Sequence, residues 1–426
     1  MSRLRIFPQP LVGSVRGPPS KSYTHRALVA GHLTGRRYRL LRPLDSEDTR
    51  ATVRLMRALG TRVERRSTSW TLTPERSRPA RTRTVDCGES GTTLRFAVPL
   101  AALSGVPVQL VGAARLGARP LSPLIRAVAR LGARIEPPRV GEEGLPLRIQ
   151  GPLRPGTTTL PIAESSQFAS ALFLTLPVLD GPSRIYLKGP IVSEPYLDAT
   201  LAVLRFHRVE AARHGRTFAT PGSQQYRQDR FEVPTDASSA AYLWAGAAVS
   251  GGRVTISGLG SDWPQADRAV LDLLEAWGAT VDRRPDRATV GAGERRPFVC
   301  NLTGSPDLLP LAGVLAALTP GPSRLRGAGH AAFKESDRRA TTAQLARSLG
   351  ARVRVTAGEI AIVGGRLPRS LRLADLVDHR VFLSAVVAAL ALPEPSVLGP
   401  SEAAAKSFPT YRTVFGSVGG RMEKLP

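Results

Sequence analysis

The sequence predicts an α/β (α+β) protein of two domains, each made of three copies of one unit of about 70 residues, with sheets outside and six apolar helices within. Three observations lead there. A helix-end phrase recurs at a fixed interval, an apolar helix recurs at nearly the same interval, and 426 residues exceed what one ordinary core accommodates.

The phrase reads Leu59-Gly60-Thr61-Arg62, Leu131-Gly132-Ala133-Arg134, Trp277-Gly278-Ala279-Thr280 and Leu349-Gly350-Ala351-Arg352. A weaker copy is Phe206-His207-Arg208-Val209, and a last lies near Gly419-Gly420. Each follows an amphipathic helical pattern and precedes a strand pattern, so the glycine reads as a helix C-cap. Gly60 to Gly132 and Gly278 to Gly350 both span 72 residues.

The apolar helices start near Ser20, Gly91, Ser166, Ala237, Pro306 and His379, in steps of 71, 75, 71, 69 and 73. Bodies such as Ala171-Leu172-Phe173-Leu174 and Leu311-Ala312-Gly313-Val314-Leu315 are apolar nearly all round, which predicts burial. Pro99 and Pro177 should kink or end their helices. The resulting unit is roughly strand–helix–strand–helix–strands, a folding module and not a thin solenoid repeat.

Composition narrows the function. The mostly apolar stretch Val381–Leu392 is too short to span a bilayer. Met1-Ser2-Arg3-Leu4 passes straight into a strand-like segment, from which no signal or transit peptide is expected. Cys87 and Cys300 alone make neither a disulfide framework nor a metal site, and suit a reducing cytoplasm. The net charge of +25 would suit a nucleic-acid binder, but the charge is spread and not clustered. Of 59 basic residues five are lysine (Lys21, Lys188, Lys334, Lys406, Lys424), a coding preference for arginine. A surviving lysine then marks a place where the bulkier, always charged arginine is unacceptable, and three of the five fall in polar motifs.

Each apolar helix is preceded by a polar cluster: Pro19-Ser20-Lys21-Ser22, Gly88-Glu89-Ser90-Gly91-Thr92-Thr93, Glu164-Ser165-Ser166-Gln167, Thr235-Asp236-Ala237-Ser238-Ser239, Gly304-Ser305-Pro306-Asp307 and Asp378-His379-Arg380. For any one cluster, ordinary N-capping is a sufficient reading. Six in register, with Lys or Arg beside several, favour an anion-binding cleft at helix N-termini. Further charged motifs are Gly117-Ala118-Arg119-Pro120, Lys334-Glu335-Ser336-Asp337-Arg338 and Lys406-Ser407-Phe408-Pro409. The second also reads as a solvated helix start with intrahelical ion pairs.

From about Ile6 to Pro409 these motifs, in order, resemble the 5-enolpyruvylshikimate-3-phosphate synthase family. The matching set is Pro-Ser-Lys-Ser with Arg26, Gly-x-Ser-Gly-Thr-Thr-x-Arg, Arg119-Pro120, Ser-Ser-Gln, Lys-Glu-Ser-Asp-Arg, Asp-His-Arg and Lys-Ser-Phe-Pro. The resemblance implies two inverse α/β, barrel-like domains of three βαβαββ units each, 1–13 plus 231–426 and 14–230, with the active site in the cleft between them. It implies transfer of the enolpyruvyl group of phosphoenolpyruvate to the 5-hydroxyl of shikimate 3-phosphate in the shikimate pathway, with no metal or organic cofactor. The implied enzyme is a cytoplasmic monomer acting on small molecules, with no nucleic acid or membrane partner.

Carried over by position, Lys21, Ser22, Arg26, Ser165, Ser166, Gln167, Ser193, Asp307 and Lys334 would hold shikimate 3-phosphate. Lys21, Gly91, Thr92, Arg119, Gln167, Arg338, Arg380 and Lys406 would hold phosphoenolpyruvate, where arginine forks suit carboxylate and phosphate. Asp307 would be the base for the attacking hydroxyl and Glu335 would exchange the proton at C3. Lys21 or Lys406 would assist the departing phosphate. Tyr196 would line the shikimate side, glyphosate would compete beside Gly91, and Asp236 reads equally as a helix cap. Glu89 and His330 stand where many members carry Asn; an arginine near Glu89 is expected to pair with it. The sister enzyme acting on UDP-N-acetylglucosamine usually carries a reactive Cys five residues before Arg-Pro, where this chain has Ala114. A basic, non-catalytic binding module is the alternative from another class; Asp307, Glu335 and the three motif lysines argue against it.

Overall fold

The structure, a computed structural model, describes residues 2–75, 82–136 and 144–425. Among the described residues the strands form six four-stranded sheets of one repeated topology. The sheet of Thr157–Pro161, Ser183–Lys188, Ala212–His214 and Thr217–Thr220 shows the rule. The first two strands pair in parallel, Thr157 opposite Arg184, and a buried helix lies between them in sequence. An amphipathic helix, Pro195–Phe206, then leads to the antiparallel pair, Ser183 opposite Thr220 and His214 opposite Thr217. Parallel neighbours need a crossover connection, and the buried helix supplies it.

The chain divides into two units, Met1–Pro18 with Thr235–Pro426, and Pro19–Pro234. These breaks fall later than the expected ones after residues 13 and 230, and strand pairing explains why. Val12–Arg16 pairs in parallel with Arg253–Ser257, which keeps residues 14–18 in the first unit. Arg230–Glu232 pairs in parallel with Tyr38–Leu41, which keeps residues 231–234 in the second.

The six apolar helices are α1 (Lys21–Leu33), α2 (Gly91–Leu103), α3 (Gln167–Thr175), α4 (Ala237–Val249), α5 (Leu309–Ala317) and α6 (His379–Leu390). Four carry a side-chain N-cap: Ser20, Ser90, Asp236 and Asp378 accept from backbone N–H groups of the first turn. Ser166 makes no such cap, and α5 is entered through a 3-10 turn, Pro306–Leu308. Pro177 ends α3, which tightens into a 3-10 turn at Leu176–Val178. Pro99 does not end α2, which runs on to Leu103; one N–H bond is forgone inside a buried helix.

The amphipathic helices end as the repeat phrase requires. Gly278 has φ 108°, and a Cβ there would lie 1.8 Å from the Glu294 carbonyl oxygen, so no larger residue fits. The weak copy places Arg208 at φ 55°, a left-handed conformation adopted without glycine. Trp244 and Trp277 are fully buried, and their indole N–H groups donate to Ala288 O (3.1 Å) and Thr319 Oγ1 (2.7 Å). No helix among the described residues is long and apolar enough to cross a membrane.

Candidate active site

Several of the candidate side chains lie at or near helix starts, where a buried helix presents unpaired N–H donors. In the 19–234 unit, Lys21 opens α1 and its Nζ donates to Asp48 Oδ2 at 2.8 Å. One turn on, buried Arg26 spends all five N–H donors within the protein. It bonds Ser22 Oγ (2.6 Å) and carbonyl, Thr200 Oγ1 (2.9 Å), Ser170 Oγ (3.3 Å) and the Tyr196 carbonyl (3.0 Å). Burial pulls this guanidinium down to about 10, leaving it charged at neutral pH. Arg26 thus joins Ser22 to Tyr196. Ser193, three residues before Tyr196, is buried at φ 54°, a strained conformation of the kind that collects at binding sites.

The start of α2 gathers a second group. Arg95 Nη1 donates to Gln167 Oε1 at 2.7 Å, and Gln167 Nε2 donates to Thr92 Oγ1 at 3.0 Å. Ser165 Oγ takes the Gln167 N–H at 3.2 Å, so the expected Ser165-Ser166-Gln167 and Gly91-Thr92 segments meet. Arg119 completes the group: a Cβ on Gly91 would lie 2.4 Å from Arg119 Nη1. Glu89 is exposed in the turn before α2.

In the other unit the centre is Arg338, 1% exposed. Its Nη1 donates to Asp307 Oδ1 (2.6 Å), Nη2 to Glu335 Oε2 (2.6 Å) and Nε to Asp378 Oδ2 (3.0 Å). Asp307 also meets Arg380 Nη2 at 2.9 Å and Lys334 Nζ at 3.6 Å. Asp378 is locked by Ser336 Oγ (2.8 Å) while capping α6 through the Arg380 N–H (2.8 Å). Burial pushes the Asp307 carboxyl up, but Arg380, Lys334 and Arg338 outweigh burial and hold it well below the usual carboxylate range. Arg338 is shifted the other way: Asp378, Glu335 and Asp307 overcome the desolvation that would release its proton. The alternative reading of the Lys-Glu-Ser-Asp-Arg run, a solvated helix start with intrahelical ion pairs, does not hold: Asp337 caps the next helix, but Arg338 is buried and its partner Glu335 lies before the first turn.

Lys406 ends the 3-10 turn Ser401–Lys406, which packs on α6. Asp236 acts as a helix cap, accepting the Ser239 N–H at 2.8 Å. His330 is buried near Lys334, and burial pulls its imidazole down to about 4, so it is neutral at pH 7.

Several members of these clusters escaped the sequence reading. Arg95 stood inside a quoted motif, one turn after Thr92, with no role assigned. Asp378 stood two residues before Arg380. Asp48, partner of Lys21, opens an amphipathic helix and carries no local signal beyond its place there. Asp267, fully buried beside Ser238, lies outside every motif.

The comparisons with known proteins agree with one another. Residues 7–415 match the model of the family described as EPSP synthase (3-phosphoshikimate 1-carboxyvinyltransferase). The chain is 37% identical to a 3-phosphoshikimate 1-carboxyvinyltransferase of Methanoculleus marisnigri, covering 94% of this chain and 96% of the relative. It is 36% identical to one from Halobacterium salinarum, covering 97% and 98%. An EPSP synthase structure from Acinetobacter baumannii superposes with a TM-score of 0.85 over the whole of both chains at 23% identity. The enolpyruvyl transferase NikO from Streptomyces tendae gives 0.77 at 18% identity, covering 100% of this chain and 99% of NikO. At those identities the structures speak for the fold, the two-domain α/β architecture expected from the repeats.

Proposed function

The chain belongs to the EPSP synthase (3-phosphoshikimate 1-carboxyvinyltransferase) family, and from that premise we propose how its residues divide the reaction. The enzyme transfers the enolpyruvyl group of phosphoenolpyruvate to shikimate 3-phosphate, a step toward the aromatic amino acids. The 5-hydroxyl adds to C2 while C3 takes a proton. Loss of a proton and phosphate from the tetrahedral intermediate then gives the enol ether.

The observation that carries the assignment is Asp307, a carboxylate gripped by Arg338, Arg380 and Lys334. Held so low, Asp307 is a poor base on its own. Phosphoenolpyruvate brings a carboxylate and a phosphate, and shikimate 3-phosphate another of each. Each anion that recruits Arg338, Arg380 or Lys334 weakens their hold on Asp307 and raises its proton affinity. Substrate binding thereby arms the base that removes the hydroxyl proton. Glu335, tethered to the same Arg338, exchanges the proton at C3. Lys406, with Arg119, Arg338, Arg380, Gly91 and Thr92, holds phosphoenolpyruvate. Ser22, Ser165, Ser166, Ser193 and Lys334 hold shikimate 3-phosphate, while Lys21 and Gln167 touch both. Arg26 acts through Ser22 and Tyr196, since its own donors are taken.

The sister activity on UDP-N-acetylglucosamine is disfavoured by thiol chemistry. Ala114 occupies the expected cysteine position, and burial pushes both Cys87 and Cys300 up to about 12, so neither is a nucleophile at neutral pH. Two free thiols also suit a reducing cytoplasm, where we place the enzyme as a monomer, a state that sedimentation of the purified protein tests. The activity itself is tested by phosphate release from the two substrates, omitting each in turn. Release needs both, and release from phosphoenolpyruvate alone would contradict the reading.

A further inference from the structure

Behind the phosphoenolpyruvate residues of the 19–234 unit runs a buried chain of side-chain hydrogen bonds that no motif announces. His25 Nδ1 lies 2.7 Å from Thr52 Oγ1, which lies 2.7 Å from Thr93 Oγ1, which lies 2.8 Å from Ser90 Oγ. Thr93 Oγ1 also reaches the Asp48 carbonyl at 3.3 Å, and its own N–H donates to Ser90 Oγ at 3.2 Å. All four residues are buried, at 1% exposure or less. They join three elements: α1, the helix Glu47–Ala58 and the start of α2.

The chain has a direction. His25 Nε2 is buried without a partner, and an unpaired ring N–H there is costlier than an unpaired lone pair. The hydrogen-bond pattern therefore assigns the proton to Nδ1, which donates to Thr52. Thr52 donates in turn to Thr93, and Thr93 to Ser90 or to the Asp48 carbonyl. Burial, which pulls His25 down to about 3, keeps the ring neutral and this polarity fixed. At one end the chain holds Ser90, the cap that positions Gly91 and Thr92. At the other branch it holds the backbone of Asp48, whose carboxylate holds Lys21.

We propose that His25 and Thr52 are positioning residues for phosphoenolpyruvate, fixing the Ser90–Thr92 turn against Asp48 and Lys21. This rests on the reading of Gly91, Thr92 and Lys21 as phosphoenolpyruvate ligands. Thr52→Val removes the hydroxyl and breaks the chain. It should raise KM for phosphoenolpyruvate about tenfold while KM for shikimate 3-phosphate stays within about twofold, and Thr52→Ser should restore the wild-type value. His25→Leu removes only the first donor and should act in the same selective direction if Thr52→Val does not fold. An unchanged KM for phosphoenolpyruvate in a folded variant, or an equal rise for both substrates, overturns the proposal. Failure of the underlying functional reading is seen separately, as wild-type enzyme that releases no phosphate from the substrate pair.

Discussion

Gly91→Ala isolates one contact on which the phosphoenolpyruvate assignment depends. The added methyl would sit 2.4 Å from Arg119 Nη1, 2.7 Å from Arg119 Cζ and 3.0 Å from Arg95 Nη1. Ordinary contact between such atoms begins at about 3.4 Å, so the Arg119 guanidinium must retreat by about 1 Å. The clash is with the mobile end of a long side chain and not with backbone, so the fold should survive. Displacement by about 1 Å of a group that positions substrate costs up to roughly 100-fold. Steady-state phosphate release with each substrate varied should show kcat/KM for phosphoenolpyruvate falling about 10- to 100-fold, or about 1.4 to 2.7 kcal/mol. KM for shikimate 3-phosphate should move by no more than about twofold. Wild-type kcat/KM for phosphoenolpyruvate in Gly91→Ala would refute the reasoning, because Arg119 could then retreat without consequence.

Three further outcomes follow from the Arg338 cluster and its surroundings. Asp307→Asn should lower kcat by roughly 100- to 10,000-fold without raising KM for phosphoenolpyruvate, since it removes a base while freeing Arg338 and Arg380; a raised KM with near-normal kcat would reassign it. Asp378→Ala leaves Arg338 Nε and Ser336 Oγ buried without their acceptor, and urea unfolding should show a loss of roughly 3 to 5 kcal/mol; a loss under about 1 kcal/mol would deny that the pair is structural. Asp267 is raised to about 6 by burial and by Asp307, so the native state holds its proton more tightly than the unfolded chain. Stability attributable to it therefore falls as pH rises from about 4 to about 6, and Asp267→Asn should be more stable than wild type at pH 8 but not at pH 4; the opposite pattern in denaturation curves would reverse that sign.

The repeat was legible because its signals are local. A cap residue followed by an apolar run marks the start of a buried helix, and Gly278 or Gly350 marks the end of an amphipathic one with a conformation other residues avoid. Arg208 shows where that signal fails: the left-handed turn persists without its glycine, held by the surrounding fold. Pro99 argues similarly, since propensity alone would stop α2 and packing carries it on. The unit boundaries were not legible to the residue, because Val12–Arg16 and Arg230–Glu232 find their partners far away in sequence.

At the candidate site, the residues that stand in motifs were legible as candidates, and the partners the fold gives them were not. Lys21, Gln167, Asp307 and Arg338 sit in motifs whose composition points to anion chemistry. Their neighbours Asp48, Thr52 and Asp267 look like ordinary helix residues in the sequence, and only the folded chain brings them to the functional groups. Arg95 is intermediate: its spacing after Thr92 puts both on one helix face, but nothing local shows that its fork would reach Gln167.

We propose that the Asp307–Arg338 cluster serves transfer of an enolpyruvyl group between two anionic substrates. Phosphoenolpyruvate labelled with ¹³C at C2, incubated with enzyme, shikimate 3-phosphate and UDP-N-acetylglucosamine together, tests it by following the label in ¹³C and ³¹P spectra. The label should appear in an enol ether of shikimate 3-phosphate, formed in step with inorganic phosphate. Label recovered as pyruvate, or transferred to UDP-N-acetylglucosamine while shikimate 3-phosphate is left untouched, would contradict it.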